Sequence, residues 1–155
     1  METSQLATRA FRPSRCEPSG RGFAKTSSMS AYPCPCCGHL VFAEPPGSDD
    51  ICMLCFWEDD AAQLRFPQLG NQTNFVPLAE AQQNYAKFGA IEQRFAEDVR
   101  KPTLEDARDP DFRPILPSDS FEAEQSEAEG PNDPTALYYW RPTFWRREAS
   151  HNTAE

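Results

Sequence analysis

Two cysteine pairs govern what this chain can become. Cys34 and Cys37 are two residues apart, Cys52 and Cys55 are two residues apart, and fourteen residues lie between the pairs. A Cys-x-x-Cys turn aims two sulfurs at one point. Two such turns brought together by a hairpin make a tetrahedral cage of four thiolates, which zinc accepts without redox chemistry. An iron–sulfur centre also takes four thiolates and stays open as an alternative at this stage. The first pair sits in "CPCCG", where Pro35 stiffens the turn and Gly38 permits the positive φ that lets backbone amides face sulfur. The spacing therefore predicts Cys34, Cys37, Cys52 and Cys55 as the ligands of one zinc ion.

Size makes such a metal part of the fold. The chain has 155 residues, of which 39% are hydrophobic and 15 are prolines. That composition predicts a small ordered unit carrying flexible segments. Charge divides the chain the same way: residues 1–28 carry five basic and two acidic side chains, 29–102 five and ten, and 103–155 five and twelve. The first segment reads as a disordered basic arm without apolar period. The second reads as a cysteine-rich metal-binding domain, too small for a generous core. A structural zinc site contributes on the order of 10–16 kcal/mol of apparent binding free energy to such a unit. The third reads as an acidic, largely disordered tail with an aromatic segment at 137–147. The fold class expected is a small metal-stabilised α+β domain: zinc-ribbon-like β-hairpin knuckles, then an amphipathic helical segment, with disordered termini.

The helical segment has clear punctuation. Pro77 suits a first turn, and Leu78, Ala81, Tyr85 and Phe88 step by three, four and three along one face. Gly89 suits the residue just past a helix end, and Ile91, Phe95 and Val99 continue an apolar stripe towards Lys101-Pro102.

The remaining chemistry is sparser. Cys36 occupies the variable position of the first knuckle, where it is either a packed thiol or a nucleophile activated by the neighbouring metal. A pairing of Cys36 with His39 belongs to the second option. Phe56 and Trp57 are expected to cap the sulfurs with apolar surface. Glu58, Asp59 and Asp60 are either a solvated acidic turn or a site for a harder cation. Cys16 falls in the arm and is read as incidental.

Taken in order, "YPCPCCGHL", "EPPGSDDICMLCFWEDD", "QLR", "LAEAQQNYAKFGA" and "VRKP" resemble the cysteine-rich CPCC family over about residues 31–102. The resemblance implies a zinc-ribbon-like site at the same four cysteines and carries no assigned activity.

Function is bounded more by exclusion than by motif. A net charge of −9 speaks against a nucleic-acid backbone or an anionic membrane as partner. No apolar run approaches the roughly 20 residues needed to span a bilayer. Six cysteines without an apolar signal segment predict a reducing, cytoplasmic setting. The expectation is a zinc-binding module that mediates protein–protein interaction, not an enzyme. The alternatives are a thiol-dependent enzyme using Cys36 and a nucleic-acid-binding zinc ribbon. The aromatic segment, with Arg141, Arg146 and Arg147, is expected to dock on this chain or on a partner.

Overall fold

The structure, a computed structural model, describes residues 31–146. The arm at 1–28, with Cys16, and residues from 147 onward lie outside the described residues. The fold is the small α+β arrangement expected. β1 (Tyr32–Pro33) pairs antiparallel with β2 (Leu40–Phe42), with Tyr32 opposite Phe42, Pro33 opposite Leu40, and a bulge between them. The sequence places a hairpin between the knuckles; the structure instead wraps this hairpin around the first knuckle. The second knuckle is closed the same way by a single bridge between Ile51 and Glu58. Between them, residues 43–50 are turns and coil. The reason lies in "PPGSDD", where Gly47 and Asp49 adopt positive φ of 95° and 60°. A chain turning twice there cannot run on as a strand.

Asp59 holds that turn. Its carboxylate accepts hydrogen bonds from the Gly47 amide (3.1 Å), the Ser48 amide (3.2 Å) and the Ser48 hydroxyl (2.8 Å). Asp60 has a different task. It caps α1 (Ala61–Arg65), accepting from the amides of Ala62 and Gln63 at 2.8 and 3.2 Å. Asp59 and Asp60 thus serve the fold's own hydrogen bonding, one bracing the turn and the other capping the helix.

Gln63, fully buried, organises the loop that follows. Its amide nitrogen donates to the carbonyls of Leu69, Asn74 and Val76, and its oxygen accepts from the Asn74 backbone and side-chain amides. Asn74 then pairs with both backbone groups of Glu58. A buried amide satisfied on every side fixes a loop that has no regular structure of its own.

α2 (Leu78–Phe88) begins after Pro77 and ends at Gly89, whose φ of 75° and amide bond to the Tyr85 carbonyl (2.9 Å) terminate it as its sequence predicts. Its buried face is Leu78, Ala81 and Gln82, while Phe88 remains 39% exposed. The apolar stripe expected beyond Gly89 does not continue as helix; it passes through a 3₁₀ turn at Gln93–Phe95. Ile91 is recruited by the second knuckle, its amide donating to the Cys55 carbonyl at 2.8 Å.

The tail departs most from expectation. Within residues 103–146, read as largely disordered, the aromatic segment packs on the cysteine-rich part. Leu137, Tyr138, Tyr139 and Trp140 are buried in the same apolar cluster as the cysteines, Trp57, Leu64 and Leu78. The packing is intramolecular, one of the two dockings the aromatic segment predicts. The charge pairing is not the simple one of basic tail on acidic domain. Arg141 binds Asp109 within the tail segment, and Arg65 of α1 makes a two-pronged bond to Glu122 at 2.7 and 2.9 Å. Composition misreads this stretch because its apolar residues are few and clustered, so their mean is low while each is well used.

Candidate metal centre

Each knuckle is built by the same backbone device. The Cys34 amide donates to the His39 carbonyl (2.8 Å) and the Gly38 amide to the Cys34 carbonyl (2.7 Å). The Cys52 amide donates to the Trp57 carbonyl (2.8 Å) and the Phe56 amide to the Cys52 carbonyl (2.8 Å). The residue after the second cysteine must be left-handed in both: Gly38 at φ 79°, Phe56 at φ 74°. Glycine adopts this freely, whereas a side chain there costs roughly 1–2 kcal/mol. Phe56 is held in place by a stack on Phe95, ring centroids 4.0 Å apart and 11° from parallel.

Gly38 is required twice over. A Cβ at this position would collide with the Phe112 ring. Gly38→Ala combines left-handed strain with displacement of that ring. We expect it to lower unfolding free energy by about 2–4 kcal/mol in denaturant titration; an unchanged midpoint would mean that Phe112 does not rest on the knuckle.

The two turns bring Cys34, Cys37, Cys52 and Cys55 together, all four fully buried, with every ligand sulfur within 4.8 Å of the others. Cys34 lies 3.5 Å from Cys55 and Cys37 lies 3.8 Å from Cys52, sulfur to sulfur. A zinc–sulfur bond of about 2.3 Å implies a tetrahedron edge of about 3.8 Å, so the donor set fits a single four-coordinate ion. Burial pushes the thiols of Cys34 and Cys55 up. Cys37 is pulled the other way, first by the neighbouring side chains of Cys34, Cys52 and Cys55. Four sulfurs buried this close together need a cation before all four can be thiolates.

Cys36 is buried too, at 2% exposure, and burial raises its pKa. That is the opposite of activation, which needs a lowered pKa and access. Among the described residues, His39 Nδ1 makes no hydrogen bond, to Cys36 or to any other group. Cys36→Ser should keep full metal content and lose about 1 kcal/mol of stability, because a hydroxyl then sits where a thiol was packed. Loss of metal in this variant, measured by elemental mass spectrometry, would put Cys36 in the ligand set.

Phe56 and Trp57 divide the capping role. Trp57 is fully buried in the cluster with the cysteines, and Phe56 packs on its margin. Two straps lie over the knuckles. Leu40 donates to the Ala107 carbonyl (2.9 Å), Asp109 to the Gly38 carbonyl (2.8 Å), and Arg108 Nε to the Cys37 carbonyl (3.1 Å). Across the second knuckle, Ile91 reaches Cys55 as above and the Arg100 amide reaches the Met53 carbonyl at 3.2 Å.

Gln82 is the residue that sequence reasoning missed. Its amide nitrogen donates to the Pro35 carbonyl (2.8 Å) and to the Tyr139 hydroxyl (2.9 Å), and its oxygen accepts from the Ile115 amide (2.8 Å). One side chain thus ties the first knuckle to α2 and to the tail. Its signal was available: Gln82 stands four residues after Leu78 and three before Tyr85, a polar residue on an apolar helix face.

A knuckle pair of this construction defines a small cysteine-rich, metal-holding domain. Residues 32–106 match the model of the family described as cysteine-rich CPCC. No curated protein matches the chain. Among the described residues, no helix is long and apolar enough to cross a membrane.

Proposed function

We propose that this chain is a zinc-holding module that works by binding another protein. The observation that carries the metal part is the set of four buried sulfurs confined within 4.8 Å. That spacing suits one shared ion. A polynuclear iron–sulfur cluster, whose irons divide the cysteines between them, needs wider separation. All four coordination positions come from protein, the mark of a structural site with no place left for a substrate. Zinc is favoured over other ions taking this geometry because it brings no redox chemistry to a sealed core.

A protein partner is supported by the exposed side chains of the second knuckle. Ile51 and Met53 are 52% and 56% exposed, although they flank the buried Cys52. Cysteines held as free thiols for metal fit a reducing, cytoplasmic setting. Elemental analysis of protein purified without chelator should find one zinc per chain. Iron in equal amount, or no metal, would overturn the assignment. Cross-linked partners recovered with the unaltered chain and lost with Met53→Asp would support the binding role; identical recovery from both would remove that surface from it.

A further inference from the structure

Two buried ring nitrogens stand out. Among the described residues, His39 Nδ1 and Trp57 Nε1 are the buried side-chain polar atoms without a hydrogen-bond partner. A buried N–H left unpaired costs free energy, and folded proteins rarely leave one so. These two are not scattered. His39 stands two residues after Cys37, and Trp57 two residues after Cys55.

The knuckles are backbone copies, so the two positions are equivalent. The His39 carbonyl accepts from Cys34 just as the Trp57 carbonyl accepts from Cys52, both at 2.8 Å. Each ring therefore starts from the same place relative to its own cysteine pair. A thiol is a weak acceptor, but a thiolate on a metal is a strong one. Four thiolates around a divalent ion also carry a net charge of about −2, which an apolar core tolerates only with donors aimed at the sulfurs.

The geometry assigns His39 and Trp57 as a matched pair of positioning residues, resting on the metal-holding role proposed above: His39 Nδ1–H donates to Cys37 Sγ, and Trp57 Nε1–H donates to Cys55 Sγ, when the ion is bound. His39 is held as the Nδ1–H tautomer in consequence. Neither ring is a ligand. Each lowers the charge on one sulfur of its knuckle and slows loss of the ion.

The test uses the full chain loaded with NMR-active cadmium. Both ring N–H protons should exchange slowly with solvent and show scalar coupling to the metal across the sulfur. A ring proton that exchanges freely, or shows no coupling, overturns the assignment for the pair. The zinc-loaded variants give a second readout. His39→Leu and Trp57→Phe should release zinc to a chelator roughly 10–100-fold faster, the range typical for lost outer-shell partners. His39→Asn, whose amide places a donor near the Nδ1 position, should recover most of the difference. Equal release from His39→Leu and His39→Asn would reduce His39 to a packing role and overturn the proposal. If His39→Leu does not fold, coupling in the unaltered chain decides. If the unaltered chain takes up neither zinc nor cadmium, the metal-holding role itself is what fails.

Discussion

Cys52→Ser should purify without metal and without a folded ribbon. Cys52 sits 3.8 Å from Cys37 and is fully buried, so its loss removes one corner of the tetrahedron. Structural zinc supplies on the order of 10–16 kcal/mol in small domains, at or above their whole net stability. Little would survive separately. β1 and β2 are two and three residues long, α1 is five, and α2, at eleven, is too short to persist alone in water. The expected result is metal content near zero, loss of near-ultraviolet circular dichroism, and Trp57 fluorescence shifted to the solvent-exposed position. A strong chelator should drive the unaltered protein to the same spectrum. A Cys52→Ser protein that keeps stoichiometric metal would falsify the four-sulfur assignment.

Trp140→Ala should cost about 3–5 kcal/mol, the second largest effect. The ring is 5% exposed and meets Phe112, Tyr138 and Tyr139 at centroid distances of 5.0, 4.8 and 5.0 Å. Its Nε1 donates to the buried Asp109 carboxylate at 3.0 Å. Truncation therefore opens a cavity and also strips a donor from a buried charge, leaving Arg141 as its remaining side-chain donor. Trp140→Phe keeps most of the volume and should lose much less. Hydrogen exchange gives the local readout. The Trp145 amide donates to the Ala136 carbonyl at 3.0 Å, so it should be protected in the unaltered chain and exposed in Trp140→Ala. A loss below about 1 kcal/mol with that amide still protected would show that the aromatic segment is not packed as described.

The knuckles were legible because their chemistry is local. A two-residue gap, a proline and a glycine at the left-handed position are all contained in "CPCCG". α2 was legible for the same reason, its start at Pro77 and its end at Gly89 both being written in single residues. The straps were not. Nothing in Ala107, Arg108 and Asp109 announces that they will meet Leu40, Cys37 and Gly38 some seventy residues earlier. α1 was overlooked because five residues make no period, although Asp60 before "AAQLR" is a good capping residue. Gln63 and Gln82 escaped notice because burial of an amide depends on which carbonyls the rest of the fold presents. The aromatic tail divided the two cases: its need for cover was readable, but where it found cover was not.

The path from Gln82 to Pro35 and Tyr139 has a consequence in time. Pro35 lies between two of the cysteines, yet the group that completes its hydrogen bonding is held by a residue 57 positions beyond Gln82. Contacts of such separation close late, since the connecting chain must first give up its freedom. Both cysteine pairs and α2 leave the ribosome well before Tyr139 does. The ion can be captured by an open ribbon and sealed only afterwards, when the aromatic segment wraps over it. Run backwards, the same order makes escape of the ion wait for that wrap to lift. The lifetime of an ion held there would then be set by how often the aromatic segment comes away.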